Sequence, residues 1–315
     1  MKTLQQLYKN GIVVFIQAPN ASQAAPLAQA LQAGGISCVL TAYDAPEALE
    51  FIQAVSPRLL AGAGNIRTPQ EAQDALEAGA GFIISADVNP EIIRLCAEKN
   101  IPALPECRTS ADVQAAAGLG LTAVSFSPDG ANGPAALNAL CADFPDMRFF
   151  ISGGVTADTM NAYLSHKAVL ACAVEGITHG SLTGEQDAAA VTRRAKEAVL
   201  KMLAFELRHV GINTPNAQTA DETAGAFEKL FGFKKEDRGG AYFAADYIEV
   251  MKKQFYGTHG HIAVAAANAD RAAYQLERAG ARFNWDSAGY NPDGRLRVVY
   301  LQDEIGGFAV HILQK

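Results

Sequence analysis

Apolar residues fall along this chain in two rhythms, and the change between them comes near residue 208. Before it, short runs rich in branched and aromatic residues appear at IVVFIQA, SCVLTAY, LLAGAGN, GFIISAD, IPALPEC, TAVSFSP, RFFISGG and AVLACAV. Between them lie amphipathic stretches such as SQAAPLAQALQAGG, TPQEAQDALEAGAG and NPEIIRLCAEKN. Apolar runs bounded by turn residues predict buried strands, and apolar positions at three- and four-residue steps predict helices. After a short amphipathic opening helix, strand and helix therefore alternate eight times, which is the period of a parallel (β/α)8 barrel of the TIM type.

The run Gly184 to Arg208 predicts one long helix ending directly on His209. Val191, Ala195, Val199, Met202, Leu203 and Leu207 share a face, charged residues lie between them, and Thr183 with Gln186 has the form of a capping box. After it, HVGINT, KKEDRGG, AYFAAD and YIEVMKK predict strands around the helix ADETAGAFEKLFGF. GHIAVAA, ARFNWDS, RLRVVYLQD and GFAVHILQK then predict strands around ADRAAYQLERAG. This is one β-α-β-β-β pattern written twice, so the expected architecture is a (β/α)8 barrel over 1–207 and an α+β domain of two βαβββ units over 208–315.

Composition narrows the function. A hydrophobic share of 49% with 19% charged residues belongs to an ordered globular chain, and a net charge of −7 disfavours nucleic acid and anionic membrane surfaces. The expected partner is a small molecule. The opening MKTLQQLYKN lacks the apolar core of a signal peptide, and no apolar run reaches the roughly 18 residues of a membrane span, so a cytoplasmic location is expected. Cys38, Cys96, Cys107, Cys141 and Cys172 form none of the close pairs of zinc or redox motifs and read as small buried hydrophobes.

AQALQAGG, GAGNIRTPQEAQDALEAGAGFIIS, FSPDGANGPAALNAL and FFISGGV resemble the 2-keto-3-deoxy-6-phosphogluconate / 4-hydroxy-2-oxoglutarate aldolases over about residues 5 to 200. The resemblance implies a Schiff-base lysine on the sixth predicted strand, helped by a glutamate and an arginine on the second, and a trimer (or dimer) as homo-oligomer. In TAVSFSP the lysine position is Ser125, and in SCVLTAYD the other two positions are Leu40 and Asp44. Lys2, Lys9, Lys99 and Lys167, the lysines ahead of the long helix, all lie in predicted helices or connections. Serine cannot form an imine, so the family's covalent route is not expected here. Ser152, Gly153 and Gly154 keep a backbone arrangement that suits an anion before TADTMNAYL, but Glu175 stands where the family has a small phosphate-contacting residue.

Active sites of such barrels lie just beyond the C-terminal ends of the strands. Asp44, Asp87, Glu106, Asp129 and Glu175 all fall there, with Asn65 at a position where the family has a hydroxyl residue. The mouth reads either as an acidic site for a metal ion, an amine or an unphosphorylated sugar, or as solvated loop carboxylates, some paired with Arg67 or Arg108.

The doubled unit resembles the vicinal oxygen chelate superfamily, which includes glyoxalases, ring-cleaving dioxygenases and methylmalonyl-CoA epimerases, over about residues 207 to 315. That resemblance implies one divalent metal held by the first and last strands of each unit. Carried over, these positions are His209, Glu249, His261 and His311, the last replacing the usual glutamate. Such a set accepts Zn, Ni, Fe or Mn, and Glu249 or His311 is the expected proton carrier. The leading expectation is thus a metal-dependent lyase or isomerase of a small oxo or hydroxy compound. A non-catalytic binding or scaffold protein, and a barrel lyase using a metal at its acidic mouth, stand beside it.

Overall fold

The computed structural model describes residues 2–17, 19–128, 133–178 and 185–315. Contacts divide the chain into two units, Met1–Met202 and Leu203–Lys315.

In the first unit the strands β1 (Ile12–Ile16), β2 (Cys38–Ala42), β3 (Leu60–Ile66), β4 (Phe82–Ser85), β5 (Ala123–Phe126), β6 (Arg148–Thr156) and β7 (Val169–Glu175) form one parallel sheet in the order β4-β3-β2-β1-β7-β6-β5. The expected strand IPALPEC is not a continuous one. Pro102 and Pro105 have no N–H to give to a ladder, so only single bridges form. Leu104 donates to the Ile83 carbonyl at 2.8 Å and Glu106 to Ser85 at 2.9 Å, while on the other side Cys107 donates to Ser125 at 2.8 Å. The segment thereby spans the gap between edge strands β4 and β5, and the parallel sheet is nearly closed. Val13, Leu40, Phe82, Leu104 and Phe150 fill its interior, and Gly62 is required there because a Cβ would lie 2.1 Å from the Phe82 ring. All five cysteines are free and buried, as small hydrophobes are.

The long helix spans Glu185–Leu203 and stops short of the expected Arg208. Ala204 takes a left-handed φ of 45°, and Glu206 to Arg208 open the next strand instead. Leu207 shares the helical period, but its ladder with Val264 holds it in the sheet, 63% exposed. Tertiary pairing has overridden local periodicity. The capping box expected at Thr183 lies outside the described residues.

The second unit is a mixed eight-stranded sheet. Its strands are β8 (Glu206–Asn213), β9 (Lys235–Asp237), β10 (Ala241–Ala244), β11 (Ile248–Met251), β12 (Gly260–Ala266), β13 (Phe283–Tyr290), β14 (Leu296–Leu301) and β15 (Phe308–Gln314), in the order β13-β14-β15-β12-β8-β11-β10-β9. β8 and β12 pair antiparallel at the centre, and each pairs parallel with the last strand of its own half, β11 and β15. Helices Ala217–Phe231 and Ala269–Arg278 follow β8 and β12, each opened by an asparagine cap, Asn216 and Asn268. Among the described residues no helix is long and apolar enough to cross a membrane.

Candidate metal centre and barrel cavity

The strand order of the second unit places the first and last strands of both halves side by side, and the register aligns one polar side chain from each. His209 and His311 both stand opposite Ala263, while His261 and Glu249 both stand opposite Gly211. Gly211 makes this possible, since a Cβ there would lie 2.1 Å from the His261 ring. The result is convergence. The Nε2 atoms of His209 and His261 are 3.2 Å apart, and Glu249 Oε2 lies 3.1 Å from the first and 3.0 Å from the second. One ring nitrogen from each of His209, His261 and His311 lies within 4.8 Å of the others.

Burial and partnering show what the cluster lacks. His261 is 2% and His311 6% exposed, and neither ring nitrogen of His311 has a hydrogen-bond partner. Leaving a buried polar atom unpaired costs about 1–3 kcal/mol, so such a group calls for an explanation. Burial pushes the His311 pKa down to about 3, aided by His261 and His209, so the ring is neutral and its lone pair available. Burial raises the Glu249 carboxyl, but hydrogen bonds from His209 and His261 outweigh it and hold the group down at about 2. Three imidazoles and an ionised carboxylate form an N₃O donor set. Ligands bound about 2.0–2.1 Å from one tetrahedral ion stand roughly 3.3 Å apart, close to the spacing of the three atoms measured here. The residues present fit a divalent metal.

Sequence reasoning missed the rings around this cluster. Tyr300 on β14 pairs directly with His311 and stacks on it, and Phe243 meets His209 edge-on at 6.0 Å. Phe255 and Tyr256 pack against Tyr300. The alternation of VVYL against AVHIL carries the Tyr300–His311 pairing, had the last two strands been set in register.

The first unit does not gather its strand-end carboxylates into one site. Asp44 accepts from Asn65 Nδ2 at 2.8 Å, lies 4.0 Å from Arg67 and is exposed, and Asp87 is exposed too. Asp129 lies outside the described residues. Glu175 Oε1 accepts the Gly154 N–H at 2.9 Å. The helix expected to aim its N-terminus at an anion is only Asn161–Leu164, and Gly153 and Gly154 instead continue β6 with φ of 77° and 66°. Of the four acids among the described residues only Glu106 lines the cavity, a space of about 280 Å³ bounded also by Phe15, Leu40, Asn65, Arg108, Ser127 and Ser152.

Ser125, at the position of the resemblance's lysine, is wholly buried behind this cavity. Its hydroxyl donates to Glu106 Oε2 at 2.8 Å and lies 2.9 Å from Ser152, whose own hydroxyl reaches the same oxygen at 3.0 Å. Glu106 Oε1 is buried and unpartnered, and burial pushes the carboxyl pKa up against those two hydrogen bonds. No lysine lines the cavity among the described residues.

Residues 4–194 match the KDPG and KHG aldolase family, and the chain belongs to it. The 2-dehydro-3-deoxy-phosphogluconate aldolase of Treponema pallidum is 31% identical over 165 residues, 51% of this chain and 79% of that protein. The KHG/KDPG aldolase of Escherichia coli K12 is 30% identical over 192 residues, 60% of this chain and 90% of its own length. Among solved structures, the 4-hydroxy-2-oxoglutarate aldolase/2-deydro-3-deoxyphosphogluconate aldolase from TTHB1 superposes with a TM-score of 0.57 at 28% identity, covering 63% of this chain and 97% of that one. The 2-keto-3-deoxy-6-phosphogluconate aldolase of Zymomonas mobilis ATCC 29191 gives 0.56 at 26% identity, covering 62% and 95%. The family match ends at residue 194, ahead of the second unit.

Proposed function

We propose that this protein is a divalent-metal-dependent lyase or isomerase of a small oxo or hydroxy compound, with its chemistry in the second unit. One observation carries the reading: His209, Glu249, His261 and His311, drawn from four strands, converge with both ring nitrogens of His311 buried and unpartnered. The strand order supports a likeness to the vicinal oxygen chelate superfamily. Membership of a lyase family supports lyase chemistry, while Ser125 in place of the imine-forming lysine argues against the Schiff-base route.

His209, His261 and His311 supply neutral nitrogens and Glu249 a negative charge. When bound, a divalent ion here would polarise the substrate's oxygens and stabilise the negative charge that develops on them. The proton leaving the substrate goes to Glu249, the one anionic group of the four, whose side chain is 19% exposed. His311, buried with both ring nitrogens shielded from solvent, is placed as a ligand. The stack of Tyr300 on His311 holds that ring in place.

Elemental analysis of the purified full chain tests this. The expected result is one Zn, Ni, Fe or Mn per chain, lost in His261→Ala and His311→Ala while both variants still unfold cooperatively on heating. A parent protein that binds none of these ions under titration, or variants that hold metal as well as the parent, would sink the reading in favour of a non-catalytic binding protein.

A further inference from the structure

We propose that the substrate of the second unit's metal centre carries an aryl group, which stacks on Phe255 and Tyr256. The inference deepens the metal-dependent reading above and rests on it.

Aromatic side chains flank the four-residue cluster on both sides. On β10, Phe243 stands opposite Glu249 in the ladder and meets the His209 ring edge-on. Toward β14, Phe255 lies 6.5 Å from the His261 ring, and Tyr256 lies 4.8 Å from Tyr300, the ring that stacks on His311. The positions that the register sets between the four donors are Gly211 and Ala263, which carry nothing larger than a methyl group. The cluster therefore has a low floor and aromatic flanks.

Phe255 and Tyr256 are 42% and 43% exposed, unlike rings that serve packing alone, such as the fully buried Phe82 and Phe150. They are nevertheless held in place. Both belong to the connection 252–259 between β11 and β12, which is fastened by side chains from outside it. Asn213 Nδ2 donates to the Gly257 carbonyl at 2.8 Å, and Asn213 Oδ1 accepts the Phe255 N–H at 3.2 Å. Glu304 accepts from the Thr258 N–H at 3.1 Å and from the Thr258 hydroxyl at 3.0 Å. Gly257, at a φ of 83°, lets the connection press onto the sheet, since a Cβ there would lie 1.9 Å from the Gly260 carbonyl oxygen. Asn213 ends the same strand that supplies His209, so one strand both offers a metal ligand and sets the rings. Exposed rings that are already fixed lose little freedom when a ligand covers them.

The surroundings decide what the rings receive. Aromatic faces and edges attract one another in stacked and edge-on pairs. An anionic tail would meet Arg238, whose guanidinium lies 4.3 Å from the Phe243 ring, but that charge already serves Glu236 at 3.0 Å and Asp246 at 2.8 Å. A cationic tail is repelled by the divalent ion that the donor set fits. A neutral aromatic ring suits this wall, with the adjacent oxygens of the same molecule left for the ion.

Hydroxamates test the inference, because their two adjacent oxygens chelate a divalent ion whatever group they carry. Benzohydroxamate, acetohydroxamate and cyclohexanecarbohydroxamate are titrated calorimetrically into the zinc-loaded full chain, and the metal content of every sample is measured. The parent should hold the benzoyl compound about tenfold more tightly than the acetyl one and about threefold more tightly than the saturated ring of the same bulk. In the Phe255→Ala/Tyr256→Ala double variant the preference for the aromatic ring should fall to within about twofold of even. Both side chains are exposed, so this variant should fold, and its thermal unfolding checks this. A parent that carries one ion per chain yet binds the three compounds alike, or binds the two ring compounds alike, overturns the inference and leaves the metal reading standing. So does a preference that persists in the folded, metal-bearing double variant. A parent that takes up no ion overturns both.

Discussion

The Tyr300 ring lies on His311 with centroids 4.5 Å apart and planes within 12° of parallel. With neither nitrogen of His311 hydrogen-bonded, stacking is what fixes the direction of its lone pair. Groups that orient a ligand residue commonly contribute 10–100-fold to metal affinity. Tyr300→Ala should therefore weaken the metal about tenfold in competition against a chelator, and Tyr300→Phe, which keeps the ring, should stay near the parent. Equal loss in both variants would assign the effect to the phenol instead.

Glu175 occupies the Gly154 N–H that an anion would otherwise use. The parent should show no heat of binding with inorganic phosphate. In Glu175→Ala the amide is released and the repelling charge removed, so millimolar phosphate should raise the thermal midpoint of the variant alone. Protection of parent and variant to the same degree would mean that the carboxylate is not what keeps phosphate out.

How far the sequence led differs between the units. The alternation of apolar runs and helices carried the barrel because its strands are buried on both faces. It also overcounted, since periodicity does not register that Pro102 and Pro105 cannot donate, and it carried the long helix into Leu207, which sheet pairing claims. The four polar residues of the second unit came from its resemblance to the vicinal oxygen chelate superfamily, which implies ligands on the first and last strands of each half, and the strand register sets those positions side by side. Register within a hairpin was not read, and Tyr300 was missed with it. The expected acidic mouth failed for a plainer reason: a strand end places a residue but does not aim it, and Asp44 turns to Asn65 and Arg67 while Asp87 faces solvent.

Ser125 is sealed behind Glu106 and Ser152, and no lysine lines the cavity among the described residues. Incubation with pyruvate and borohydride should leave the intact mass of the protein unchanged. A stable adduct mapped by peptide mass to any lysine of residues 2–178 would show that an amine reaches the pocket after all.

Glu106 links the floor of the cavity to pH. Burial raises its carboxyl pKa in the folded chain, against the hydrogen bonds from Ser125 and Ser152. The folded state therefore binds this proton more tightly than the unfolded chain, whose glutamates titrate near 4.3. Below that value both states are protonated and the contribution to stability is complete. As pH rises from there through the raised folded value, the folded chain must carry a buried charge and the contribution is lost. Glu106→Gln keeps the shape and the hydrogen-bonding reach of the side chain without the titration. Its thermal midpoint relative to the parent should climb with pH across that window and then level off, whereas at pH 4 and below the offset between the two proteins should be constant. A relative midpoint that stays flat from acid to neutral pH would mean that Glu106 is ionised at no cost, with the Ser125 and Ser152 hydroxyls fully offsetting its burial.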